Sequence, residues 1–211
     1  MGKKLLFFVT GIAIACMGVA FILKSNAGAG PQDVVLMVFA EKTGVTFGTW
    51  VIISQGVFLL CNSLLLKKRP QYESLFTMLL WGLLVDFWLE IVFVDLHLLL
   101  ISPVPRWSFF LLGVLLIGIG VGIYLASELP RMPYDGLMVA LTEKFHLNLM
   151  VSRTILELFF ILLGYMVGGK VGVGTIVIMI CIGTIIQFFN RLSLLVYHNP
   201  WFFFHLFKRF S

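Results

Sequence analysis

Ionisable side chains set inside apolar runs are the residues of this sequence with chemistry to perform. "LLVDFWLE" places Asp86 and Glu90 four apart, and "SRTILE" does the same for Arg153 and Glu157. In a helix each pair lies on one face. A charge in hydrocarbon is costly unless it is paired or hydrated, so each of these is a candidate for a substrate or ion pathway. Gln55, Gln187 and Asn190 add uncharged polar groups to the same set, and Arg191 lies where it can snorkel to an interface. Arg153 and Glu157 admit two readings, an internal pair that holds helices together or a gate. Asp86 and Glu157 are the expected proton carriers, because a carboxyl in a low-dielectric site can be protonated.

A second set is a small pattern met twice, "GAGPQDVVLMVFAEK" from Gly28 and "RMPYDGLMVALTEK" from Arg131. Pro31 and Pro133 suit a helix start, and Asp33 and Asp135 suit the capping of its free amides or direct contact with a ligand or ion. Gly28 and Gly30 permit a close backbone approach in the first copy. No metal-ligand spacing, nucleophile elbow, phosphate loop or cysteine pair is present, so neither an enzyme nor a cofactor or metal site is expected. Cys16, Cys61 and Cys181 each fall in an apolar run and are expected to be inert packing residues. His97, His146, His198 and His205 are scattered near the ends of such runs or in the tail.

The elements that must position these groups are membrane spans. Of 211 residues, 60% are hydrophobic and 12% charged, with a mean hydropathy of +1.05, which places the chain in a lipid bilayer. Six apolar runs of spanning length fall at roughly 5–23, 47–66, 75–94, 107–127, 149–167 and 174–196. The net charge of +5 comes from short clusters beside the runs, Lys3-Lys4, Lys67-Lys68-Arg69 and Lys208-Arg209. They read as topology signals, not as a nucleic-acid surface, and place both termini in the cytoplasm. The first run followed by "AGA" resembles a signal peptide, but its counterpart at 107–127 is internal and must span.

Sliding the chain on itself by 102 places lays Gly11 on Gly113, Gly18 on Gly120, Pro31 on Pro133, Asp33 on Asp135, Glu41-Lys42 on Glu143-Lys144 and Lys68 on Lys170. After a one-residue slip, Gly82 meets Gly183 and Asp86 meets Gln187. Gln55 corresponds to Glu157. The expected organisation is a first three-span repeat over 1–96, a second over 97–197, and an aromatic and basic tail over 198–211 lying on the cytoplasmic interface. Three spans per copy invert the second copy, an arrangement found in many secondary transporters. The fold class is an all-α membrane protein with a short apolar helix after each Pro-x-Asp. At about 1.5 Å per residue that helix reaches some 16 Å, half a bilayer core, and is either re-entrant or packed along the interface. Gly118-x-x-x-Gly122 and Gly164-x-x-x-Gly168 suit close helix contacts, and "VGVGT" suits a hinge or a turn.

With "GAGPQD", "TGVTFGTW" (Thr43 to Trp50) and "GGKVGVGT" (Gly168 to Thr175) in place, the chain resembles the YczE/YyaS/YitT-like bacterial multi-pass membrane proteins over about its first 195 residues. The second copy keeps Pro-x-Asp in "RMPYDG" but lacks the glycines. The resemblance implies the membrane fold, with transport or export suspected and no substrate named. The expected function is a carrier in the bacterial cell membrane for a small or amphipathic solute, possible homodimers or a partner membrane protein included. The alternatives are an accessory protein for a partner enzyme or pump, and a substrate-binding subunit of a larger importer.

Overall fold

The computed structural model describes residues 2–96 and 102–198. Eight α-helices run through them: α1 Gly2–Ser25, α2 Pro31–Thr43, α3 Phe47–Leu66, α4 Ser74–Asp86, α5 Pro103–Ala126, α6 Pro133–Phe145, α7 Leu149–Met166 and α8 Val173–His198. A π-helical turn, Phe87–Val92, continues α4. Five helices, counting α4 with its π turn, are long and apolar enough to cross a membrane. A sixth span is reached if α6 and α7, bent by 120° at their junction, count together. His97 and the tail beyond 198 lie outside the described residues.

Each short helix is bounded by its local sequence. α2 begins with Pro31 in its first turn, where a missing N–H costs nothing, and stops at Gly44, whose φ of 70° only glycine adopts freely. The Gly44 N–H returns to the Ala40 carbonyl at 3.0 Å. α6 likewise begins at Pro133 and stops at His146, also left-handed with φ 54°. The next helix then restarts on a side-chain cap, Thr46 Oγ1 accepting from the Thr49 N–H and Asn148 Oδ1 from the Val151 N–H.

The pattern of exposure is that of a protein in lipid. Ile53, Val57, Leu60 and Leu64 form an exposed stripe along α3, and Phe76, Leu79 and Leu83 do so on α4. Gln55, Ser74, Thr77, Ser127, Ser152, Glu157 and Thr175 are buried instead. Water as solvent would reverse that preference, because apolar stripes of this size belong in a soluble core.

α1 and α5 cross at the centre through glycines. Gly11 lies against the Gly120 carbonyl and the Tyr124 backbone, and Gly18 against the Gly113 carbonyl and Ile117. A methyl group added at Gly18 would stand 2.6 Å from the Gly113 oxygen, so the backbones meet with no room for a side chain. α5 also packs on α8, where Gly118 faces Ile185 and Gly122 faces Phe189 and Asn190. α2 packs on α7 and α6 on α3. α4 packs on α3, through Gly48 and Gly82, and more lightly on α1. No matching packing joins α8 to α7 among the described residues beyond marginal contact; there the Arg153 side chain lies against Gly183.

Candidate functional site: two short-helix starts at mid-depth

The starts of α2 and α6 reach the middle of α3. Tyr134 N–H, at the start of α6, donates to Gln55 Oε1 at 2.9 Å, and Gln32 Nε2, at the start of α2, donates to Ser54 Oγ at 3.2 Å. Ser54 and Gln55 stand halfway along α3. From there α6 descends beside α3, with Asn62 Nδ2 donating to the Pro133 carbonyl at 2.9 Å and Lys68 meeting Glu143 at 3.2 Å. α2 leaves in the other direction along α7, Val34 against Gly164 and Gly169, and Lys42 donating to the Val167 carbonyl at 2.8 Å.

Both turns that precede these starts are pinned from a distant helix, the first from α8 and the second from α4. Ala29 N–H donates to Thr175 Oγ1 at 3.3 Å, and Thr77 Oγ1 donates to the Pro130 carbonyl at 2.7 Å. Gly28 has φ 153° and lies so close to Gly174 and the Thr175 N–H that a Cβ has no place. Gly174 N–H in turn donates to the Ala27 carbonyl at 3.1 Å. Gly30 lies against the Asp33 carboxylate, which folds back on the Gly30 backbone at its own helix start. Asp135 turns elsewhere: its Oδ2 accepts from the Tyr124 hydroxyl at 3.1 Å.

Glu157 is 7% exposed and Gln55 4%. Arg153 Nε donates to Glu157 Oε1 at 2.8 Å, and the arginine side chain remains 32% exposed. The Tyr134 ring lies tilted against Phe58 and Phe160, with centroids 5.7 and 6.0 Å away. Its hydroxyl lies within the field of Glu157, Arg153, Asp135 and Asp33. These groups come together at one depth.

The remaining polar residues from the sequence lie elsewhere. Asp86 clamps the start of α3, Oδ1 accepting from the Gly48 N–H and Oδ2 from the Thr46 hydroxyl, both at 2.6 Å. Glu90, in the π turn, and Gln187, on α8, are exposed, and Asn190 Nδ2 donates to the Gly122 carbonyl at 3.1 Å. Among the described residues, Asp86 and Gln187 make no hydrogen bond to Gln55 or Glu157. Two residues of the site escaped sequence reasoning. Asn62 stands seven after Gln55, two turns along the same face, a signal that was present; its buried Oδ1 has no donor among the described residues. Tyr124 is visible only once α5 and α6 are folded together.

Two cavities flank the starts, one on each side. The one on the Lys68 side has a volume of about 760 Å³ and reaches Asn62, Asp135 and Arg153. The one on the Lys170 side, about 530 Å³, is lined by Gly28, Met37, Glu41 and Arg106 and includes neither Asp33 nor Glu157.

Residues 2–191 match the family described as "Family of unknown function (DUF6198)". The chain is 32% identical over 183 residues to "Uncharacterized membrane protein YczE" of Bacillus subtilis, covering 86% of this chain and 83% of that one. It is 29% identical over 180 residues to "Uncharacterized protein YyaS" of the same organism, covering 85% and 88%. An "Uncharacterized protein" of Haemophilus influenzae is 30% identical over 203 residues, covering 94% and 88%. No solved structure matches. With a family match along nearly its whole length, and apolar helices of spanning length in the fold, this chain belongs to the DUF6198 family as a multi-pass membrane protein.

Proposed function

We propose that the protein is an inverted-repeat carrier of six spans that moves a small amphipathic solute across the bacterial cell membrane by alternating access, without chemical transformation of its cargo. The observation that carries this reading is the pair of cavities. Their lining residues correspond under the repeat: Leu23, Met37 and Glu41 with Lys170 on one side, and Leu125, Val139 and Glu143 with Lys68 on the other. The α1–α5 crossing supports the same symmetry, because exchanging Gly11 for Gly113 and Gly18 for Gly120 turns one of its glycine contacts into the other. The elements pair in the same way, α6 on α3 and α2 on α7. Positive clusters at Lys3-Lys4 and Lys67-Lys68-Arg69 put the Lys68 side in the cytoplasm.

The halves differ in one respect, and that difference favours transport over a static bundle. α3 and α4 are closed on each other, α7 and α8 are not, and the larger of the two cavities is on the Lys68 side. If the halves exchanged these arrangements, the larger cavity would open on the other side, at little net cost in contacts. Protons remain the driving ion in this reading, with Glu157 as the carrier; both oxygens of Asp86 are already engaged at the start of α3.

The test uses cysteines at the equivalent cavity positions Met37 and Val139, singly, in a background with Cys16, Cys61 and Cys181 replaced. An impermeant thiol reagent should reach position 37 from outside cells and position 139 only in inverted vesicles. An imposed pH gradient should raise one reactivity as it lowers the other. Labelling of both from the same side removes the inverted repeat; parallel changes remove alternating access.

A further inference from the structure

The larger cavity is lined by one group of each charge with coordination to spare. Arg153 spends Nε on Glu157, and no hydrogen bond among the described residues engages its two terminal amino groups. Its side chain is a third exposed although it stands inside a span, and the exposure is toward this cavity, which it lines. Asp135 spends Oδ2 on the Tyr124 hydroxyl, and its Oδ1 has no donor among the described residues. Asp135 also stands in the first turn of α6, at the positive end of the helix dipole.

Three of the other charges at the cavity fall in ion pairs, and the Arg131 guanidinium acts on Asp135 together with Arg153. Lys68 pairs with Glu143, and Glu128 pairs with Lys4. Arg69, Glu73 and Arg131 complete the set, four basic and four acidic side chains in all, so the cavity has no net sign to select an ion of one charge. The walls between are apolar: Leu59, Val121, Leu125, Met138, Val139 and Ile186.

From this arrangement we infer that the cargo is a zwitterion with an apolar body, of the amino-acid or short-peptide kind, whose carboxylate is taken by the terminal amino groups of Arg153 and whose ammonium is taken by Asp135. The inference rests on the carrier reading and names the substrate class of its cavity. An arginine fork binds a carboxylate through paired N–H donors, and a carboxylate with a free oxygen accepts from an ammonium. A singly charged solute of the same shape leaves one of the two groups desolvated and unmatched, a loss of roughly tenfold or more in affinity. The volume of about 760 Å³ exceeds one small amino acid and admits a di- or tripeptide.

The experiment measures ligand-dependent thermal stabilisation of the purified full-length protein in detergent, with four probes: L-leucine, L-leucyl-L-leucine, L-leucine methyl ester as the cation alone and N-acetyl-L-leucine as the anion alone. One or both zwitterions should stabilise at concentrations at least tenfold below the capped forms. Asp135→Asn keeps an acceptor for Tyr124 and removes the charge; it should abolish the advantage of leucine or the dipeptide over N-acetyl-leucine. Arg153→Gln combined with Glu157→Gln removes the pair without stranding a buried charge and should abolish the advantage over the methyl ester. Failure of both zwitterions to stabilise, or equal stabilisation by a capped probe in the native protein, overturns the inference. Reciprocal labelling at positions 37 and 139 alongside such a failure leaves the carrier intact with another cargo. Zwitterion binding without reciprocal labelling leaves a binding protein that does not carry.

Discussion

Asp86→Ala separates a structural carboxylate from a transporting one. In the native protein its two oxygens accept from the Gly48 N–H and the Thr46 hydroxyl, each at 2.6 Å. Thr46 itself caps the Thr49 N–H at 3.2 Å. One side chain of α4 therefore serves two donors at the start of α3, close to where Gly48 and Gly82 bring the two backbones together. Hydrogen bonds to a charged acceptor are worth about 1.5–3 kcal/mol each, and two bonds to one group do not add fully. Removing the carboxylate should cost about 2–4 kcal/mol. Asp86→Asn keeps an oxygen for Gly48 and a polar group for Thr46, losing charge assistance and the favourable end of the helix dipole, about 1 kcal/mol. Denaturant titration of the purified protein in mild detergent measures both. Glu90→Gln, at an exposed site in the π turn, is the control and should lie within about 0.5 kcal/mol of the native protein. An alanine variant as stable as the control refutes the clamp. An asparagine variant of native stability that no longer alternates in the labelling assay returns Asp86 to the proton pathway.

The other predictions concern the crossing and the buried pair. Gly18→Leu should prevent folding, since even a Cβ there stands 2.6 Å from the Gly113 oxygen, whereas Gly56→Ala, with nothing within 4 Å, should be neutral or raise stability by up to about 1 kcal/mol in the same titration. Arg153→Leu leaves Glu157, 7% exposed, without its partner and should cost about 3 kcal/mol, while Arg153→Leu with Glu157→Leu should recover most of that loss. Equal losses in single and double variants would mean that the pair is not coupled.

Five of the six expected spans were legible because lipid imposes one requirement on every segment that crosses it, an apolar run with its backbone bonded internally; the fifth run, α7, reaches spanning length only with α6. Sequence bounds of 47–66 for the second run and 149–167 for the fifth fall within a residue of α3 and α7. The short helices were legible from Pro31 and Pro133, since a proline at a helix start acts locally. The sequence left open whether they were re-entrant or interfacial; the bonds to Ser54 and Gln55, halfway down α3, bring their starts deep between the spans. Long-range partners were not legible. Asp86 looked like a pathway residue because its donors, Gly48 and Thr46, lie on another helix some forty residues away, with nothing in the local pattern to name them. The π turn after Asp86 was equally hidden. Its ladder, with Phe93 N–H donating to the Trp88 carbonyl at 2.9 Å, accompanies a bond from the Trp88 indole to the Ala13 carbonyl on α1 at 3.0 Å, a tertiary contact.

Divergence between the two copies explains more of the proposed mechanism than their likeness. Where α3 has Gly48 against Gly82 and Asp86 of α4, the position 102 places on is Met150, exposed, and one turn further along α7 Arg153 is laid over Gly183. α7 and α8 cannot approach as α3 and α4 do while the guanidinium occupies that space with its terminal amino groups unbonded; closure would strip those donors of water with no acceptor supplied in return. Glu157 satisfies Nε alone. A carboxylate brought into the cavity supplies the missing acceptor and, together with Glu157, leaves the arginine in an environment where it can be enclosed. In the proposed carrier, ligand would then bind the closed arrangement more tightly than the open one, the condition for a solute to drive a conformational change. The charge on α7 would make exchange between the two proposed arrangements depend on what the cavity holds.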